Sequence, residues 1–326
     1  MLVTGASGFL GRALIPALLA QERSVAALCR NPESLSDLRH PGLRIVAGDL
    51  RCPSSSAGLP PPGGSVFHLA AVRNHPRSRI RDMAEINVGA TMALARQAAE
   101  RGVARFVHVA TALIYGPSED GEVRSEAEGF GYAPAPYALS KIVVVELLRN
   151  LAREGLPVVI AGPSIVFGPD HPSHPNRVTS EIRRLLRGGP RIFLAGGRQV
   201  RNLVYVEDVV RGLLAAEERG AVGEEYLLGG EEISPRDFAE RALAIAGSRP
   251  GPVLSLPAAP ALGIAALVDR LRGRNFWEGY ASAVRNLLRE WRFDSGKARR
   301  ELGYQPLSLD EGLARTIHWL RSGEGR

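Results

Sequence analysis

Cysteine is nearly absent from this chain. Cys29 and Cys52 are the two in 326 residues, too few for a disulfide framework, so a reducing cytoplasm is the expected compartment. No apolar run approaches the roughly 20 residues that a membrane span needs. The N-terminus enters a strand directly, without the charged and apolar leader of a secretory signal. Basic residues (41) exceed acidic ones (34) for a net charge of +7, yet the arginines are dispersed and no basic block carries interleaved aromatics. A nucleic-acid surface is therefore not expected, and the charge reads as composition bias plus an anionic cofactor. Histidines are scattered, and His171 and His174 sit in a proline-rich loop without convincing ligand partners, so no metal is expected. Internal repeats are absent.

What remains is a chain long enough for one large α/β domain and a smaller one, with 45% hydrophobic residues to fill a core. The first stretch, Leu2-Val3-Thr4 and then Gly5-Ala-Ser-Gly8-Phe-Leu-Gly11, reads as a buried strand, a glycine-rich turn and a helix. Glycines there permit the tight turn, close backbone approach to a pyrophosphate, and close helix packing, with the anion on the helix N-terminus. The spacing Gly5-x-x-Gly8-x-x-Gly11 is one residue longer at the front than the usual dinucleotide fingerprint. A second strand, Ser24–Cys29, ends at Arg30 with no acidic residue beside it. At that strand end an acid suits the 2′-hydroxyl of NAD and an arginine suits a 2′-phosphate, so NADP(H) is favoured over NAD(H).

Farther along, Tyr137-Ala-Leu-Ser-Lys141 opens a helix expected to run to about Glu154. Residues four apart share a helix face. A phenol, with a reference pKa of about 10, is a poor acid–base at neutral pH, and an ammonium one turn away brings it towards working range.

The glycine turn and the Tyr137/Lys141 pair together resemble the short-chain dehydrogenase/reductase superfamily. The TGASGFLG form and the chain length point to its extended, epimerase/dehydratase-like branch. The resemblance covers essentially the whole chain, and it is closest in pattern to dihydroflavonol-reductase and 3β-hydroxysteroid-dehydrogenase-like members. It implies an α/β fold, a Rossmann-type doubly wound parallel sheet with a smaller C-terminal α/β substrate domain. Residues 1–168, with a return near 195–220, would bind the dinucleotide, and 169–326 mainly the substrate.

The resemblance also implies roles. Gly5, Ser7, Gly8, Phe9, Leu10 and Gly11 would meet the pyrophosphate side of the cofactor, and Asp49 and Leu50 the adenine. Leu69, Ala70 and Ala71, in a segment similar to the family's HLAA, would let the backbone pass close to it; His68 there reads as structural. Asn87 would meet the cofactor while holding the active-site side of a helix spanning about Arg81 to Arg101, and Pro163, Ser164 and Ile165 would line the nicotinamide. Thr111 falls where the hydroxyl of the catalytic triad Thr111–Tyr137–Lys141 belongs.

Ala112 and Leu113 occupy the next, substrate-facing positions, where dehydratases of the family carry Asp and Glu. Ile165 stands where nucleotide-sugar enzymes generally place Asn. These apolar residues lean towards a ketone or secondary alcohol of mainly apolar character, with a nucleotide-sugar epimerase next and a non-catalytic NADP-binding regulator last. Arg201, and the arginines of the loop Arg73–Arg79, either meet an anionic substrate group or brace surface structure. Finally, the apolar helices near 81–101 and 137–154 are expected to pair with their two-fold copies in a homodimer.

Overall fold

The computed structural model describes residues 1–52, 54, 58–73, 79–132, 135–273 and 279–323. Its centre is a parallel sheet built from β1 (Leu2–Thr4), β2 (Val25–Cys29), β3 (Leu43–Ala47), β4 (Ser65–His68), β5 (Arg105–Val109) and β6 (Val158–Pro163). Two short flanking sheets use β7 (Ile165–Phe167), β8 (Arg191–Leu194) and β9 (Arg201–Tyr205). The chain then returns to the main sheet as its seventh strand, β10 (Glu225–Leu228), before β11 (Glu231–Ile233) and β12 (Val253–Leu256) complete the small sheets. The return segment expected near 195–220 therefore extends to residue 228.

Near-continuous apolar runs such as Val158-Val-Ile-Ala are what a parallel sheet covered on both faces demands. Side chains alternate between those faces. Phe106 and Val158 enter one core with Leu94 and Ala98 of α3 (Thr91–Glu100) and Val144 and Leu148 of α4 (Pro136–Arg153). Val107 and Val159 enter the other, with Leu14 and Leu18 of α1 (Phe9–Leu19), Leu213 of α6 (Val206–Arg219) and Leu302 of α10 (Gly296–Leu302). A third core joins β7 and β9 to α5 (Arg177–Leu186), α7 (Pro235–Ala246) and α11 (Leu309–Ser322) through Phe167, Leu203, Ile182, Phe238 and Leu313. The remaining helices are α2 (Ile80–Met83), α8 (Ala258–Leu271) and α9 (Tyr280–Leu287).

The spatial order β10-β6-β5-β4-β1-β2-β3 places the reversal of winding between β1 and β4. Open α/β sheets bind ligands at that crevice, beyond the carboxyl ends of the strands. Two expectations need correction here. The helix of 81–101 is not uniform: α2 passes through a π-helical stretch, Ala84–Ala90, before α3, and Asn87 lies inside it. Nor is α4 apolar all round towards solvent. Val144 and Leu148 are wholly buried in the chain's own core, leaving Leu139 and Val143 exposed and then Glu146 and Asn150.

Candidate active site

A cavity of about 650 Å³ opens at the switch point. Its floor is the turn between β1 and α1. Gly5 has φ +66°, and a methyl group on it would sit 2.7 Å from the Ala70 nitrogen. A methyl on Gly11 would meet the Gly5 and Ala6 carbonyl oxygens at 2.5 Å. Both positions therefore require glycine, one for close approach of the β4 loop and one for seating α1 on its strand. Ser7, Gly8, Phe9 and Leu10 bring the N-terminus of α1 to the cavity, where unpaired amides and the helix dipole favour an anion. The backbone cradle thus fits a dinucleotide pyrophosphate.

Arg30, Asp49 and Leu50, just past β2 and β3, line one end of the cavity, and Leu69, Ala70 and Ala71 its middle. The Asp49 carboxylate accepts from the Arg51 backbone amide at 3.0 Å and from its guanidinium at 2.6 Å, which holds its pKa below the usual carboxylate range. Arg30 is near enough to add to that lowering.

Asn87 does not reach the cavity. Its side chain accepts from the Val72 amide at 2.7 Å, donates to the Val72 carbonyl at 3.0 Å, and donates to Ser140 Oγ at 2.9 Å. Ser140 Oγ in turn donates to the Tyr137 carbonyl at 2.7 Å. Its expected cofactor contact is therefore replaced by a positioning role: it ties the loop after β4 to the first turn of α4. His68 is likewise internal, bonded to Thr4 Oγ1 at 2.6 Å and to Thr91 Oγ1 at 2.7 Å, with its pKa driven down to about 3 by burial.

Thr111, Tyr137 and Lys141 converge on the cavity from the end of β5 and the start of α4. Pro136 at the first helical position of α4 sets where that helix begins, and so places Tyr137 and Lys141 in its first turns. Lys141 is 1% exposed, and its ammonium donates to the Val109 carbonyl at 2.7 Å. Burial pushes Lys141 down to about 7 and Tyr137 up to about 12. The positive charge of Arg73 counters the rise at Tyr137. Lys141 and Lys297 are the only lysines in a chain otherwise supplied with arginine.

Beyond Tyr137 lie Leu113, Pro163, Ser164 and Ile165, with Ser164 Oγ buried and unpartnered. Ala112 is a correction. The short 3₁₀ turn Ala112–Tyr115, capped by Thr111, presents Leu113 to the cavity and buries Ala112 in the core, 1% exposed.

Arg201, from β9, does line the cavity. Its guanidinium donates to the Leu287 carbonyl at 2.8 Å, while its Nε is buried without a partner. Burial and the like charge of Arg177 pull its pKa down to about 10. Of the arginine-rich loop, Arg73 lines the cavity, and residues 74–78 lie outside the described residues.

Sequence reasoning missed the rest of this wall. His174, Asn176, Arg177 and Val178 arrive from the approach to α5, and Ala283, Asn286, Leu287 and Trp291 from α9 and its exit. Asn176 carried a signal, since Asn before an amphipathic run is a helix cap, and it accepts from the Val178 and Thr179 amides. The residues from α9 carried none. Among the described residues no group of His, Cys, Asp and Glu could hold a metal ion.

Comparison with known proteins adds three findings. A family model described as "NAD dependent epimerase/dehydratase family" matches residues 1–229. The chain is 30% identical over 326 residues to the Sterol demethylase protein B of Methylococcus capsulatus, covering 98% of each, and 31% identical over 336 residues to a dTDP-glucose 4,6-dehydratase of Streptomyces griseus, covering 98% of this chain and 93% of that one. Among solved structures it is similar to DesIV, a dTDP-glucose 4,6-dehydratase of Streptomyces venezuelae with NAD and TYD bound, at TM-score 0.80 and 29% identity over 99% of this chain and 97% of that one.

Proposed function

The chain belongs to the NAD-dependent epimerase/dehydratase family, an NAD(P)-dependent enzyme of the extended short-chain type, and on that premise we propose that it epimerises a nucleotide-linked sugar. The observation that carries this reading is the charge on the cavity wall. Arg30, Arg73, Lys141, Arg177 and Arg201 face it, and Asp49 is the one carboxylate among the described lining residues. Arg201, largely buried with an unpartnered Nε beside another cation, wants an anion, and a substrate diphosphate supplies one. The reading therefore places the apolar ketone, first on sequence alone, second.

An epimerase fits better than a dehydratase because the described lining residues hold no carboxylate pair: Leu113 lines the reaction end and Ala112 is buried. When bound, the nicotinamide supplies the exchange of hydride with the reacting carbon. The chain's own residues manage the oxygen. Thr111 Oγ1 donates to it, and Tyr137 takes its proton as alcohol becomes carbonyl and gives it back as carbonyl becomes alcohol. Burial raises Tyr137 towards its acid form, which serves the returning half, while the positive charge of Arg73 favours the phenolate that the first half needs. Lys141, fixed on the Val109 carbonyl, would hold the nicotinamide ribose.

Around this site we assign residues 1–168 with the return through 228 to the cofactor and most of 169–326 to the substrate. Arg30 favours the 2′-phosphate of NADP(H), although the structural neighbour DesIV holds NAD. A homodimer would use the exposed Ile80, Leu139 and Val143.

The second reading, reduction of an apolar ketone, is favoured by Ile86, Leu113, Ile165 and Val178 on the same wall and by the similarity to Sterol demethylase protein B. One panel separates them. UDP- and dTDP-sugars with catalytic NAD(P) should give an epimer without net cofactor consumption. Stoichiometric oxidation of NADPH by hydrophobic ketones, with no sugar product, selects the second reading.

A further inference from the structure

Large apolar side chains are not exposed evenly over this molecule. Half of those exposed among the described residues fall within two segments, 187–198 and 248–273: Ile192 on β8, Val253, Leu254 and Leu256 on β12, and Ile264, Leu267 and Leu271 on α8. β8 and β12 pair in parallel with Ile192 beside Leu254, and all four residues of β12 are exposed. Pro257 joins β12 directly to α8. That helix packs against α9 and buries only Ala265 and Asp269. Ile264, Leu267 and Leu271, spaced along one helical face, are 66%, 57% and 78% exposed.

The same two segments are unbalanced in charge. They hold six arginines (Arg187, Arg191, Arg198, Arg249, Arg270 and Arg272) and a single carboxylate, Asp269. Asp269 is buried and accepts from the Tyr280 and Ala281 amides at 2.9 and 2.8 Å, capping α9. Along the sequence these two segments are therefore aliphatic and cationic, and their one carboxylate is buried.

We propose that the α8–β12 face docks on an anionic lipid surface. Its leucines and isoleucines would enter the boundary between headgroups and acyl chains while its arginines meet lipid phosphates. A second copy of the chain fits less well, because an isologous contact through these segments would bring arginines together while their one carboxylate is buried. Docking of this kind is not spanning: among the described residues no helix is long and apolar enough to cross a membrane. It adds a membrane surface to a chain whose sequence offers no spanning run, and it holds whichever substrate the cavity takes. The face is also one packed helix from the site. Asp269 clamps α9, which carries Ala283, Asn286 and Leu287 to the cavity wall, and the Leu287 carbonyl holds Arg201.

The test is vesicle flotation of the full chain with phosphatidylcholine alone and with phosphatidylcholine mixed with phosphatidylglycerol. The expected result is at least about tenfold more protein on the anionic vesicles in low salt, released by high salt. Ile264→Glu with Leu267→Glu should abolish flotation while cofactor affinity and thermal midpoint stay at wild-type values, since both side chains are exposed. No flotation on anionic vesicles in low salt would overturn the proposal, as would flotation that the double variant leaves unchanged. So would a wild-type dimer in light scattering that the double variant splits, which would give the face to a second copy.

Discussion

The two walls of the cavity are made differently. The wall we assign to the cofactor is mostly backbone: the turn Gly5–Gly11, the N-terminus of α1, and the small residues Ala70 and Ala71, all at the ends of neighbouring strands. The wall we assign to the substrate is mostly side chain, gathered from Leu113, Ile165, Arg177, Arg201 and Leu287, which lie far apart in the chain. Binding by backbone tolerates few changes of residue and keeps its spacing, whereas binding by side chains is free to vary. That difference is why a cofactor class is easier to assign than a substrate.

If Tyr137 belongs to the chemistry and not to the cofactor wall, Tyr137→Phe should cut turnover by about 10² to 10⁴-fold while the cofactor dissociation constant moves no more than a few-fold. Steady-state kinetics and calorimetric titration measure the two halves separately. A fall in cofactor affinity as large as the fall in rate would erase the distinction between the walls.

Arg201→Ala should act on the other wall alone. Loss of one charge-assisted contact, about 1.5–3 kcal/mol, raises KM for a nucleotide sugar by roughly 10- to 150-fold. Cofactor affinity should be unaffected, and Arg201→Lys should recover only part of the loss, because Lys lacks the fork geometry. At the adenosine end, Arg30→Ala should remove a preference for NADP⁺ over NAD⁺ of about tenfold, read from paired titrations. Equal affinities in the wild type would make Arg30 a solvated residue.

A further effect concerns stability beneath the wall assigned to the cofactor. His68 is held neutral by burial, with its pKa near 3 against 6.5 unfolded. A depressed folded pKa contributes stability that is present above 6.5 and lost as pH falls towards 3. By pH 5 the loss is about 2 kcal/mol. His68→Gln, which can still bridge Thr4 and Thr91, should flatten urea-unfolding midpoints between pH 7.5 and pH 5 relative to the wild type. His108 is lowered in the same direction and should keep part of the slope.

Legibility followed the same division. Gly5, Gly8 and Gly11, the HLAA strand and the Tyr137–Lys141 pair are local patterns whose spacing states their geometry, so the sheet and the convergence of Thr111, Tyr137 and Lys141 could be read from the chain. Asn87 and Ala112 were misplaced because side-chain direction there depends on a π-helical stretch and a 3₁₀ turn, neither of which has a periodic signature. Residues 283–291 were invisible for another reason. They reach the cavity through tertiary contacts, the β-bridge of Arg201 with Trp291 and the bond from Arg201 to Leu287. Lysine scarcity was an unused signal: where arginine supplies almost every cation, a buried Lys141 marks a place that needs a smaller, titratable one.

The claim that the substrate wall serves an epimerase is tested most directly by isotope tracing. A nucleotide sugar deuterated at the reacting carbon would be incubated with the enzyme and excess free NAD(P)⁺, and product and free cofactor analysed by mass spectrometry. The account predicts an epimer that keeps its deuterium and a free cofactor pool that stays unlabelled. Deuterium accumulating in free reduced cofactor, with a ketone as product, would contradict it.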